Sequence, residues 1–206
     1  MVTARELAQQ LRSEIDRSIT VLQHIANMIE AMDAPALPKF VDVPYRSQHD
    51  PDAQLTRADC GPACVAMLLE WRQIGISIDS ITRRTSLGAT NAGQLMAVAA
   101  YHGLKLERYN NMTLADLERC LNADKPLIAL IKYVELGDSR QDLNYSGLHW
   151  LVVVGYDADS VFVNDPDHWD ERRDEGRRKP IPRAVFDAAW GSTMPDAINR
   201  QALVVM

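Results

Sequence analysis

A thiol, an imidazole and a carboxylate, in that order along the chain, are the residues here that can together break an acyl bond. Cys60 lies in the stretch Ala58-Asp59-Cys60-Gly61-Pro62-Ala63-Cys64-Val65-Ala66-Met67-Leu68-Leu69-Glu70-Trp71. Asp59, Gly61 and Pro62 begin helices, and Val65, Met67, Leu68, Leu69 and Trp71 make the succeeding turns apolar on much of their surface, so Cys60 is predicted at a helix N-terminus. The unpaired N–H groups of that end carry roughly half a positive charge, which favours thiolate over thiol. With a cationic imidazole beside it, a cysteine pKa falls from ~8.5 into the range of roughly 3.5–7.5.

The base must come from five histidines. His24 falls on a predicted N-terminal helix, His49 in a polar loop, His102 at a helix end and His168 in a later loop. His149 differs. It opens the apolar run His149-Trp150-Leu151-Val152-Val153-Val154-Gly155-Tyr156, just after Gly147, and a strand end holds an imidazole in place better than a loop does. Downstream, Tyr156-Asp157-Ala158-Asp159 reads as a hairpin turn into Ser160-Val161-Phe162-Val163-Asn164-Asp165-Pro166, which returns Asp165 to the neighbourhood of His149. A carboxylate on one ring nitrogen sets the tautomer and leaves the other nitrogen for the thiol, the nucleophile, base and orienter logic of acyl transfer. No grouping of Cys with His has zinc-ligand spacing, and neither metal nor cofactor is expected.

The elements that must position these groups can be read from periodicity. Leu7, Leu11, Ile15, Ile19, Leu22, Ile25 or Ala26, Ile29 and Met32 recur in steps of three and four, which predicts one long amphipathic helix. Its stripe either packs on its own domain or serves self-association or the docking of a partner. Asp33-Ala34-Pro35-Ala36-Leu37-Pro38 then breaks the helix and separates a helical segment, 1–34, from a domain, 38–206. Next come a short strand over 39–43, a polar loop over 44–59, helices capped by Ser77, Asn91 and Thr113, and a strand over 104–109. Strand-length runs occupy 126–133, 149–156 and 160–164, before a helix at 183–190 and a strand at 201–205. Helices first and strands later predict an α+β fold in which the Cys60 helix packs on a mostly antiparallel sheet.

Composition narrows the function. A chain of 206 residues, 47% hydrophobic, builds one substantial core. A net charge of -6 argues against binding nucleic acid or an anionic membrane, both of which need a basic face. Three cysteines do not make a disulfide framework. Residues 1–18 hold no apolar run resembling a signal peptide, and no stretch reaches the ~20 apolar residues of a membrane span. The chain therefore reads as cytoplasmic, although a mature secreted protein freed of its signal would carry the same sequence.

Taken together these residues resemble a known family. Val43-Pro44-Tyr45-Arg46-Ser47-Gln48, Asp59-Cys60-Gly61-Pro62-Ala63-Cys64-Val65-Ala66-Met67, His149 opening a strand into Gly155-Tyr156-Asp157, and Val163-Asn164-Asp165-Pro166 are similar in order and spacing to the bacteriocin-processing cysteine peptidases and their papain-like relatives. The resemblance covers about 39–190 and implies a papain-like cysteine proteinase fold, with Cys60 as nucleophile, His149 as general base and acid, and Asp165 orienting His149. It also implies an upstream glutamine whose amide joins the cysteine N–H in an oxyanion hole. Gln48, twelve residues before Cys60, comes after the Val-Pro-Tyr element as in stand-alone relatives; Gln54, six residues before, has the spacing of papain and of transporter-linked members. Gln48 is preferred, and both stay open at this point. The chain lacks the membrane spans and ATPase of the transporter-linked members, so cleavage of double-glycine leader peptides is not implied. The long N-terminal helix lies outside the resemblance.

The expected function is a cysteine peptidase that hydrolyses a peptide or related amide bond of a peptide or protein substrate through a thioacyl-enzyme on Cys60. An acyltransferase or transpeptidase with the same triad would replace water by an amine. A papain-like binding module that has lost activity is a third reading, against which the intact Cys60, His149 and Asp165 weigh. Cys64, one turn past Cys60, reads as helix packing, with a resolving thiol as the alternative, and Cys120 reads as core. Trp150 and Trp169 flank the site in sequence and are assigned to cleft or core. The mixed-charge run over 171–179 reads as an exposed loop.

Overall fold

A computed structural model of the chain describes the backbone of residues 3–33, 37–55, 58–137, 147–192 and 199–206, and side chains over the same ranges except 27–33. These residues divide into two units, Met1–Leu37 and Pro38–Met206. In the first, helix α1 spans Ala4–Asp33. Thr3 and Glu6 form a reciprocal cap at its start: the Thr3 N–H donates to Glu6 Oε2 at 2.8 Å, and the Glu6 N–H donates to Thr3 Oγ1 at 3.3 Å. Leu7, Leu11, Ile15, Ile19, Leu22 and Ile25 of the apolar stripe are 46–65% exposed. The side chains of Ile29 and Met32, and residues 34–36 of the proline connector, lie outside the described residues.

The second unit runs β1 (Lys39–Phe40), α2 (Cys60–Trp71), α3 (Ile78–Thr82), α4 (Ala92–Tyr101), β2 (Leu106–Tyr109), α5 (Leu114–Asn122) and β3 (Leu127–Lys132). It continues with β4 (Leu148–Tyr156), β5 (Ser160–Asn164), β6 (Lys179–Pro182), α6 (Arg183–Gly191) and β7 (Ala202–Val205). The strands form one antiparallel sheet in the order β2-β7-β3-β4-β5-β6, with β1 added to β4. This is the α+β architecture that the order of helical and strand patterns predicts. Helix α2 packs on β4 and is enclosed without a break from Gly61 to Leu69, which explains why its sequence shows no polar face. Ser77, Asn91 and Thr113 each accept the N–H three residues on, at Ser80, Gln94 and Asp116, and so fix the starts of α3, α4 and α5.

Two local expectations change. The strand predicted over 39–43 pairs only through Lys39 and Phe40. After a single further bond, from the Val41 N–H to the Val154 carbonyl, Pro44 has no N–H to continue the ladder. The run at 171–179 is not a simple exposed loop: Asp170–Gly176 winds into 3-10 turns, Gly176 is buried, and Lys179 begins a strand. Pro180 and Pro182 hide that strand, β6, from a sequence pattern. Prolines are tolerated there because β6 is a sheet edge, paired only with β5. Among the described residues no helix is long and apolar enough to cross a membrane.

Candidate active site

Cys60 is the first residue of α2 and is half-buried, while Gly61 to Leu69 behind it are closed off. The Asp59 side chain does not cap the helix. Its Oδ1 accepts from Thr82 Oγ1 at 2.8 Å, which ties the start of α2 to α3. Gly61 permits close approach on the next side, since a Cβ there would stand 2.2 Å from Thr90 Oγ1.

His149 is the second residue of β4, where its backbone pairs with Ile131 of β3; the pairing with β5 begins further along, at Val152. The turn that returns the chain is built by Asp157, whose Oδ1 accepts the N–H groups of Asp159 and Ser160 at 2.9 and 2.7 Å. Antiparallel pairing then brings Asp165, the residue just after β5, to His149: Asp165 Oδ1 lies 2.8 Å from His149 Nε2. The Cys60 thiol is near enough to the ring to favour its charged form. The ring of Tyr133 covers the imidazole, with centroids 4.3 Å apart.

Electrostatics match this geometry. Burial disfavours a charged imidazole, but hydrogen bonds to Asp165 and Cys60, and their charges, outweigh it and raise the His149 pKa from 6.5 to about 10. Burial likewise opposes charge on Asp165, yet hydrogen bonds from His149 and His168 and the positive charges of His149 and Lys179 hold its carboxyl well below the usual range. Lys179 Nζ is 3.2 Å and His168 Nε2 3.4 Å from Asp165 Oδ2. The Asp165 carbonyl accepts from Tyr45 Oη at 3.0 Å, and its N–H donates to the Gly176 carbonyl at 2.8 Å. A Cβ on Gly176 would stand 2.3 Å from both the Asp165 and the Tyr45 oxygens, so only glycine fits against the segment that carries the carboxylate.

The polar loop ahead of Cys60 is stitched to this same segment. Asn164 Nδ2 donates to the Val43 carbonyl at 3.0 Å, and the Gln48 N–H donates to the Pro166 carbonyl at 2.9 Å. Arg173 holds both oxygens of buried Asp50, at 2.6 and 2.9 Å. Gln48 is thereby buried beside residues 165–167, with its Nε2 donating to Asp167 Oδ1 at 3.1 Å. Gln54 is exposed, its Nε2 donating to the Asp50 carbonyl at 3.0 Å. The loop thus brings Gln48, and not Gln54, to the segment that orients His149.

The remaining candidates separate by burial. Cys64 is fully enclosed, and burial first, then the nearby Cys60, pushes its thiol pKa well up. Cys120 is half-buried against the core rather than within it. Trp150 is buried, donating Nε1–H to the Thr90 carbonyl at 3.0 Å. Trp169 is 39% exposed, packs at a tilt on His49, and lines a cavity of about 390 Å³ with Ser47, His49, Asp50, Asp170 and Arg173. Sequence reasoning missed Tyr133, Asp167, His168 and Lys179 as neighbours of the site. Asp167 and His168 lie close enough after Asp165 to have been considered, but Lys179 and Tyr133 carry no local signal.

A cysteine at the mouth of a buried helix, facing an Asp–His pair presented by antiparallel strands, defines the papain-like class of cysteine hydrolases. The chain belongs to the Peptidase_C39 like family, whose sequence profile matches residues 40–198, and it is a cysteine-type peptidase. Similar folds occur in a C39-like peptidase candidate from Bacillus anthracis, at TM-score 0.60 and 16% identity over 82% of this chain and 97% of that one. The double-glycine-motif protease of an AMS/PCAT transporter, solved with its leader peptide, aligns at TM-score 0.53 and 18% identity over 83% and 96% of the two chains. The peptidase domain of Streptococcus ComA, a bi-functional ABC transporter of a quorum-sensing pathway, aligns at 0.52 and 20% over 74% and 94%. No curated protein sequence matches the chain.

Proposed function

We propose that this peptidase cleaves a peptide bond through a thioacyl-enzyme on Cys60, with His149 as general base and acid and Asp165 holding the imidazole. The observation that carries this reading is His149 itself, buried between the Asp165 carboxylate and the Cys60 thiol. His149 takes the thiol proton and Cys60 Sγ bonds to the scissile carbonyl carbon. The oxyanion that forms is stabilised by the Cys60 N–H and the Gln48 amide, and the C–N bond breaks as His149 returns the proton to the leaving amine. Water, deprotonated by His149, then cleaves the thioester and releases the acid. The double-glycine-motif protease of similar fold binds a leader peptide, which supports a peptide segment as substrate.

The test is to trap the intermediate. With p-nitrophenyl acetate and an acid quench, the acetyl group is expected on the Cys60-containing fragment, and in buffer it should leave as acetate. An acetyl group on Cys64 or Cys120, or none at all, overturns the reading. Preferential transfer to added glycinamide would turn it into the acyltransferase alternative.

The raised His149 pKa sets a pH signature. The protonated ring is the acid that expels the amine, so kcat/KM for an amide should fall as pH rises through about 10. Alkylation of Cys60 by iodoacetamide needs no such acid and should not fall over that range. Amide turnover lost near the ordinary histidine pKa of ~6.5 would contradict the assignment.

A further inference from the structure

We propose that Asp167 is a positioning residue that aims the Gln48 amide into the oxyanion hole. The proposal rests on the hydrolytic reading above and adds a residue that acts through Gln48. Asp167 Oδ1 accepts from Gln48 Nε2 at 3.1 Å and faces His49 Nε2 at 2.8 Å. Tyr133, whose ring lies over that of His149, also favours the charged form of the same carboxylate. The backbone N–H of Asp167 donates to Asp165 Oδ1 at 3.1 Å, the oxygen that also meets His149. One residue therefore joins the group that orients the base to the group that would bind the oxyanion.

The chemistry of the amide gives this contact its consequence. A carboxylate only accepts, so the atom of Gln48 turned toward Asp167 is nitrogen, not oxygen. The two N–H bonds of an amide share one rigid plane, and holding one against Asp167 fixes the direction of the other. A free glutamine side chain would have to give up its rotamer freedom as the oxyanion forms. Anchored in advance, it gives up little, which corresponds to about 5- to 30-fold in rate. His49 gives Asp167 a second polar partner that keeps it in place, and Trp169 packs on His49, with ring centroids 4.8 Å apart.

Two probes on the full chain separate this role from a structural one. Acylation by p-nitrophenyl acetate passes through an oxyanion, whereas alkylation by iodoacetamide needs only the nucleophile and its base. Asp167→Ala is expected to slow acylation about 5- to 30-fold while alkylation stays within about twofold. Asp167→Asn keeps an acceptor oxygen and should recover most of the rate, and it provides a measurement where alanine impairs folding. In a Gln48→Ala background, Asp167→Ala should cost little more, because its effect passes through the missing amide. Acylation unchanged in Asp167→Ala, losses that add in the double variant, or alkylation slowed in step with acylation would each overturn the proposal. Failure of the hydrolytic reading looks different: the parent protein itself would form no acetyl-Cys60.

Discussion

Cys60→Ala is expected to lower peptide turnover by about 10⁴-fold or more and to remove iodoacetamide labelling at neutral pH. The loss is large because no second group can replace the sulfur. Cys64 is one helical turn away but wholly enclosed, with its thiol pushed up by burial, and Cys120 stands apart on α5. Cys64→Ala should therefore leave labelling and turnover largely intact, since it removes only one buried sulfur from packing. Measuring both variants with the same peptide substrate, and locating the label by mass, tests the assignment. Full activity in Cys60→Ala would sink it, and equal loss in both variants would point to damage of α2 rather than to removal of a nucleophile.

Asp165→Ala should damage catalysis and stability together. Without the carboxylate the imidazole loses its fixed orientation and the charge that keeps it protonated, so kcat/KM is expected to fall by about 10²–10⁴-fold. The fall above pH 10 should also move toward neutrality, because the Asp165 hydrogen bond is the first of the influences that raise the His149 pKa. Stability falls because Asp165 is completely buried and is the acceptor faced by His149, Lys179 and His168. Removing one partner of such a cluster costs about 3–5 kcal/mol, or roughly 6–20 °C in Tm for a chain of this size. A variant with parental Tm and parental kcat/KM would remove Asp165 from the site.

The same pair sets the pH range of its own contribution to stability. The Asp165 pKa is depressed by folding, so its contribution is present above the unfolded value of ~3.9 and disappears as pH falls through the folded one. The His149 pKa is raised, so its contribution is complete below ~6.5 and disappears as pH rises through about 10. The interaction is therefore fully present between ~3.9 and ~6.5 and declines above that only as His149 loses its proton.

Much of this could be read from the chain because the signals are local. Cys60 at a helix start depends on helix-starting residues before an apolar run. His149 on a strand and Asp165 across a turn depend on a hairpin whose turn is closed by Asp157 itself. Short-range rules of capping, periodicity and turn chemistry decide such features before any distant contact forms, so the class of chemistry was determined by sequence alone.

Tertiary structure decided the points where distant segments meet. The local Val-Pro-Tyr element favours Gln48 over Gln54 without deciding between them; the separation comes from the bond of the Gln48 backbone to Pro166 and of its amide to Asp167, more than a hundred residues away. Lys179 reads as part of a solvated charge run, yet it reaches buried Asp165 because β6 pairs with β5 and carries it there. A strand with two prolines is invisible to a pattern that counts ladder donors, since only a free edge makes those missing donors harmless. The sequence alone therefore determined the class of chemistry. Long-range pairing decided which neighbours hold its residues in place, because burial and hydrogen-bond partnership are properties of the folded chain and of no single segment.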